Sequence, residues 1–356
     1  MICIMWIEID SDIFQKSDFK GLNYLYQILS WYPNHSIPRY KIFIDLLKVE
    51  NTQNYEQLKG VETRLKELIE SQFDEFITAN PRNIKPNHKV TYKLGKTCFT
   101  IEEAIRYFSQ PVSIILENNK NDSCFVISII HHFDRSGIAQ AHLKNGWIRF
   151  ENAGGCSNTV NFIDGFLEIF EDLALKNNRN LSDYFRGIII LDSDKAYPTD
   201  PEKEEYTKLL VKLALKGISR DSIHILEKRM MENYMPDDVF KDLKSEFGTR
   251  TRHKDLVDWI NVYSYLNEEQ KNYLKYYDGF NDDLTRLDRN VKALYLNLSL
   301  KQFNILKNGF KYKGKEFKNQ FPLLFLKSDK VNKHTLNLRA GSRELENVLE
   351  KILYLL

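Results

Sequence analysis

The apolar run Ile188-Ile189-Ile190-Leu191, followed at once by Asp192-Ser193-Asp194, constrains this chain more than any other stretch. Consecutive branched aliphatic residues read as a strand buried on both faces, the habit of parallel sheets. A parallel sheet needs crossover connections, so strands must alternate with helices along the chain. Residues i and i+2 of a strand share a face, so Asp192 and Asp194 are expected to project together from the strand's carboxyl end. Open α/β sheets bind their ligands at that edge. Two adjacent carboxylates repel unless a cation lies between them, and a hard divalent ion such as Mg2+ suits oxygen ligands. Taken alone, Asp-Ser-Asp is more ordinarily a solvated turn.

Three further segments repeat the pattern. Val112-Ser113-Ile114-Ile115-Leu116 ends in Glu117, and a turn-forming stretch then leads to a helical pattern over Ser123–Phe133, with Asp122 as its expected N-cap. Trp147-Ile148-Arg149-Phe150 runs through Glu151 into Gly154-Gly155, a pair suited to a tight turn or a close backbone approach to a ligand. Ser222-Ile223-His224-Ile225-Leu226 ends in Glu227 and continues as Lys228-Arg229-Met230-Met231-Glu232-Asn233-Tyr234. Helical segments are expected at 158–177 and 201–217, between these strands.

This order resembles a TOPRIM domain: an acid after the first strand, a Gly-Gly turn after the second, Asp-x-Asp after the third and a basic Glu-Asn-Tyr segment after the fourth. TOPRIM is the metal-binding fold shared by topoisomerases, bacterial primases and OLD-family nucleases, and 226–234 resembles the tail of the OLD-type branch. The resemblance covers about 111–245. The family usually writes Glu-Gly after the first strand; here it is Glu117-Asn118, and Asn tolerates a left-handed backbone better than most residues.

The resemblance implies a nuclease dependent on Mg2+ or Mn2+, hydrolysing phosphodiester bonds of DNA or RNA, transfer RNA included. Two ions about 4 Å apart can activate water and stabilise the departing oxygen. Asp192, Asp194 and Glu117 would hold one ion; Glu232, with Glu227, would assist a second. Gly154 and Gly155 would let a phosphate approach, and Lys195, Lys228 or Arg229 would neutralise charge in the transition state. Asn233 and Tyr234 read as residues that fix the helix start. By resemblance the role is anti-phage defence. OLD-family proteins usually fuse an ATPase to the nuclease; no GxxxxGK[ST] occurs here, so the implied partner is a separate ABC/OLD-type ATPase. Two alternatives stay open: a weakly active TOPRIM binding or regulatory subunit, and a topoisomerase- or primase-type enzyme.

With 28% charged residues and a net charge of only +2, no overall field attracts nucleic acid. The basic charge is local: residues 301–340 hold nine Lys and one Arg against Glu316 and Asp329. Lys307, Lys311, Lys313, Lys315 and Lys318 are interleaved there with aromatics, as phosphate contacts and base stacking would need, or as a solvated edge would show. Cys3, Cys98, Cys124 and Cys156 form no CxxC, which argues against zinc and for a reduced cytoplasm. His131-His132 point about 100° apart on a helix and do not chelate one ion easily. No stretch reaches the ~20 apolar residues of a membrane span. The opening segment through Glu8 reads as a strand.

The fold class expected is α/β: a TOPRIM-type parallel sheet with helices on both faces over 111–245, and mainly helical regions over 1–110 and 246–356. In the first region a helical pattern covers Tyr55–Phe76, and a capping box at Thr100 and Glu103 opens a helix into the sheet. In the last, a helix Arg343–Leu356 carries the stripe Leu345, Val348, Leu349, Ile352 and Leu355, which suits its own core or, alternatively, a partner. A nuclease needs restraint, through compartment, partner or self-association as a homo-oligomer.

Overall fold

The computed structural model describes residues 4–15, 19–30, 37–61, 63–79, 85–93, 95, 97–155, 158–248, 253–277, 279–280, 289–307, 309–310 and 320–356. Among these residues the strands form two four-stranded sheets, each wholly parallel. The first is built from β1 (Trp6–Ile9), β2 (Lys41–Ile44), β3 (His88–Val90) and β4 (Cys98–Phe99), in the order β2-β1-β3-β4. The second is built from β5 (Val112–Leu116), β6 (Ile148–Asn152), β7 (Gly187–Leu191) and β8 (Ile223–Ile225), in the order β6-β5-β7-β8. The α/β class is therefore what the apolar runs predict, and the strands of the second sheet fall where those runs lie.

The first sheet is the departure. The patterning of 1–110 predicts helices, and helices are there at Phe19–Ser30, Gln53–Val61 and Thr63–Ala79. They accompany a parallel sheet of which only β1 was legible. Strands of two to four residues are too short to show a period, which is why β2, β3 and β4 do not stand out. The capping box forms as expected: Glu103 N–H donates to Thr100 Oγ1 at 3.4 Å, and Thr100 N–H to Glu103 Oε2 at 2.8 Å.

The second sheet is a wall between two cores. Ile115, Ile189, Leu191 and Ile223 pack with the N-terminal sheet and its helices. Val112, Ile114, Leu116, Ile188 and Ile190 pack against the helix Asn119–Phe133 and the C-terminal helices. Both faces are covered, so β5 and β7 are buried at every position and mostly apolar, Ser113 of β5 being the exception, which is the origin of the runs. No strand occurs beyond Ile225 among the described residues. The C-terminal region instead closes over an aromatic cluster of Phe240, Trp259, Tyr263, Tyr276, Phe310 and Phe321. The terminal helix, Glu344–Tyr354, buries Leu345, Val348, Leu349 and Ile352 in this core, with Leu355 half-buried beside them. Its stripe serves the chain's own packing.

Candidate functional site

β7 stops at Leu191, and the two aspartates that follow do not continue as a strand. Asp194 has a left-handed backbone, φ +54°, which a short polar residue tolerates but does not favour. The strand alternation expected to align Asp192 with Asp194 thus gives way to a turn in which the two carboxyls take different partners, Met231 N–H for Asp192 and Lys203 and Tyr206 for Asp194. Neighbouring backbone holds that turn: Asp194 N–H donates to Arg229 O at 2.8 Å and Ser193 Oγ to Lys228 O at 2.8 Å. Met231 N–H donates to Asp192 Oδ1 at 3.0 Å. The segment after β8 therefore positions the Asp-Ser-Asp turn.

Five carboxylates share one field at this edge of the sheet. Burial, then the charges of Asp122, Glu232, Glu117 and Asp194, push the Asp192 carboxyl well above its ordinary value. Burial and Glu232 push Asp122 up to about 7, against the hydrogen bond it accepts from Asn118 N–H at 2.9 Å. Burial and Asp194 raise Glu117, against Tyr206 and Lys203. Glu117 directly follows β5, and Glu232 lies in the single 3-10 turn Met231–Tyr234. Asp122 is not the N-cap: the helix begins at Asn119 with Asn118 as cap, and Asp122 reaches back to that cap's N–H from the first turn. Its backbone place is therefore inside the helix, and its charge faces the other acids.

Two tyrosines and one lysine border the cluster. The Tyr206 hydroxyl lies 3.0 Å from Asp194 Oδ2 and 3.4 Å from Glu117 Oε1, joining acids from β5 and β7. Burial and those charges raise the phenol's ionisation far above normal, so it stays a donor. Burial, then Glu232 and Asp122, do the same to Tyr277 on the other side. Lys203 Nζ sits 2.7 Å from Asp194 Oδ2. Among the described residues no three carboxylates close into a ready-made ion cage. Mutual repulsion favours that openness, and Lys203 holds Asp194's outer oxygen. The donor set is nonetheless all hard oxygen, the chemistry that suits Mg2+ or Mn2+.

Not every expected site residue joins the cluster. Glu227 is exposed and accepts from Ser342 Oγ at 2.8 Å, and it is not among the charges that act on Asp192. Lys228 is buried, its Nζ 2.5 Å from Asn272 Oδ1, and burial followed by Arg339 lowers its pKa to about 7. Arg229 donates to Tyr273 O at 3.2 Å. Lys195 is half-buried, with its N–H 3.4 Å from Ser193 Oγ. Asn233 holds the start of the turn, its Oδ1 accepting Met230 N–H at 3.0 Å, while its Nδ2 donates to Lys271 O and Leu274 O; Tyr234 OH ties to the terminal helix instead, donating to Glu344 Oε2. Gly154 and Gly155 take φ +69° and +104°, and among the described residues a Cβ on Gly155 would meet nothing within 4 Å.

Lys307 ends the helix Leu300–Lys307; Lys311, Lys313, Lys315 and Lys318 lie outside the described residues. Phe310 is not a surface stacking platform: it is buried with its ring 4.3 Å from Trp259. The start of the basic stretch packs against the backbone of Tyr276 and Tyr277. Phe310 N–H donates to Tyr276 O at 2.7 Å, and a Cβ on Gly309 would stand 1.9 Å from the carbonyl of Tyr277, so only glycine fits there.

The residues that patterning alone missed are Asp122 as an acid of the site, Lys203, Tyr206 and Tyr277. Asp122 was legible as an acid one helical turn beyond Glu117; Lys203 and Tyr206 have only the signal of i,i+3 spacing at a helix start after the Asp-Ser-Asp turn. The same tripeptide also follows β1, as Asp10-Ser11-Asp12. There Lys89 lies 2.9 Å from Glu8 and 2.5 Å from Asp10. Burial opposes the Asp10 charge, yet Lys89 and the Asp12 N–H outweigh it and hold that carboxyl below its ordinary value. At one copy of the motif a lysine of the same sheet favours the charged form of the leading aspartate; at the other the surrounding acids and burial disfavour it. Comparison with protein-family models, with curated proteins and with solved structures gives no match to this chain.

Proposed function

We propose that this chain is a divalent-cation-dependent nuclease of TOPRIM type, with its reaction centre at Glu117, Asp122, Asp192, Asp194 and Glu232. The observation that carries the reading is the field on Asp192: four other carboxylates, from three other segments and its own turn, raise its proton affinity together. Holding such charges close without compensation costs stability, and a bound cation recovers it. When bound, Mg2+ or Mn2+ would supply an activated water and a counter-charge for the departing oxygen.

The chain's own residues do the remainder. Tyr206 fixes Glu117 against Asp194, Met231 N–H fixes Asp192, and Lys203 brings a positive charge to the outer rim. The Gly154-Gly155 turn and the basic stretch that begins beside Tyr277 are suited to a polyanionic substrate. Lys228 and Glu227 are left out of this assignment because their partners lie on the C-terminal side. A defence role with a separate ATPase remains part of the proposal by resemblance. The contact would have to avoid the terminal helix, whose stripe is already covered.

The test is incubation of the purified chain with plasmid, linear DNA and total RNA in Mg2+, Mn2+ or EDTA. Cleavage in either metal, absent in EDTA and in Asp192→Asn, is expected. Metal-dependent binding without cleavage would favour the regulatory-subunit reading, and a covalent protein–nucleic-acid adduct the topoisomerase-type one.

A further inference from the structure

Among the described residues Lys203 reaches one of the acids, Asp194, and its backbone and its side chain are held differently. Its backbone is the N-cap of the helix Glu204–Leu215, and its carbonyl accepts Tyr206 N–H at 2.9 Å and Thr207 N–H at 3.1 Å. The Cα is therefore pinned. The side chain is not: it is 38% exposed and ends on Asp194 Oδ2, itself on a side chain 30% exposed. An ion pair this open contributes little to stability, so exchanging it costs little. Asp194 would not be released by the exchange, because Tyr206 OH still donates to it and its N–H stays bonded to Arg229 O.

We propose that Lys203 exchanges partners during the cycle: its ammonium stands in for the cation at Asp194 in the metal-free chain, is displaced by the divalent ion, and then binds a non-bridging phosphate oxygen of the substrate. This rests on the nuclease reading and adds a residue to it. A long, flexible stem on a fixed Cα lets one ammonium serve both positions. Displacement leaves that charge at the rim of the site, the side from which a phosphodiester must approach. The exchange also explains why Lys203 can sit at Asp194 without closing the site: it balances one oxygen and leaves the half-buried Asp192 to the incoming ion. Asp10 shows a contrast, since Lys89 there is shared by two acids, Glu8 and Asp10.

The experiment uses the full chain stripped of divalent ions and titrated calorimetrically with Mn2+, in wild type, Lys203→Met, Lys203→Gln and Asp192→Asn. Removing a competing positive charge should tighten Mn2+ about tenfold in both Lys203 variants. With Ca2+ in place of Mn2+, the same variants should bind DNA and RNA oligonucleotides about tenfold more weakly. A purely structural lysine would weaken or leave unchanged the affinity for Mn2+, and that result in folded variants overturns the exchange alone. Tighter Mn2+ with undiminished oligonucleotide binding removes its phosphate half and overturns it as proposed. Absence of Mn2+ binding in wild type and Lys203 variants alike, or equal binding in Asp192→Asn, overturns the metal reading as well.

Discussion

At the scale of single residues, carboxylates are held where charge is disfavoured. Asp122 has a folded pKa of about 7, above its unfolded value, because burial and Glu232 oppose its ionisation. Its neutral form is thus the one the fold prefers, and stability attributable to it falls as pH rises from about 4 to about 7. His88 and His142 act in the opposite direction: burial lowers both to about 4, so their contribution falls as pH drops through the range from 6.5 to 4. The wild-type profile mixes the two, and a variant separates them. Asp122→Asn keeps an acceptor for Asn118 N–H and should match wild type in thermal midpoint near pH 5. It should exceed wild type by several degrees at pH 8 without divalent ions; a gap that is constant across pH would show that the charge is not the cause. Gly155 makes a separate claim at this scale. Its φ of +104° lies where side chains strain the backbone, so Gly155→Ala should cost about 1–2 kcal/mol in chemical denaturation.

Among the elements, the segment after β8 positions the Asp-Ser-Asp turn, and Glu344 holds that segment. Glu344 is buried and accepts from Glu227 N–H at 2.8 Å, His224 Nε2 at 3.0 Å and Tyr234 OH. Glu344→Gln substitutes a donor for one acceptor and should destabilise by about 2–3 kcal/mol in urea unfolding. It should also weaken Mn2+ binding, since Met231 N–H and Arg229 O would no longer be held against Asp192 and Asp194. A loss of stability with ion binding unchanged would separate the two roles. These elements also mark what was legible in sequence. The runs at Val112–Leu116 and Gly187–Leu191 announce themselves because burial on both faces permits no polar residue to interrupt the apolar character for long. Glu117, Asp192 and Asp194 follow from them, as acids at strand ends. The left-handed turn at Asp194, the placement of Lys228 against Asn272 and the joining of two acids by Tyr206 depend on contacts between segments far apart in the chain, and no local pattern encodes them. The β2, β3 and β4 strands were invisible for a different reason, their brevity.

For the whole molecule, the second sheet is shared by two cores, so its strands couple them. Ile114 faces the C-terminal side and Ile115 the N-terminal side, both fully buried. Ile114→Ala and Ile115→Ala should each cost about 2–5 kcal/mol and shift a single cooperative transition. A biphasic melt, with one phase untouched by each variant, would mean that the two halves unfold independently. The central proposal concerns the cluster at the edge of this sheet: that a divalent cation balances the carboxylates crowded around Asp192. The most direct measurement is the thermal midpoint at pH 8 of chelator-treated wild type and Asp192→Asn, each with and without Mn2+. Asp192→Asn keeps the acceptor for Met231 N–H and removes only the charge. The predicted result is a crossing: the variant melts above wild type without metal, and Mn2+ raises wild type while leaving the variant nearly unmoved. A variant that melts below wild type without metal, together with no response of wild type to Mn2+, would contradict the account.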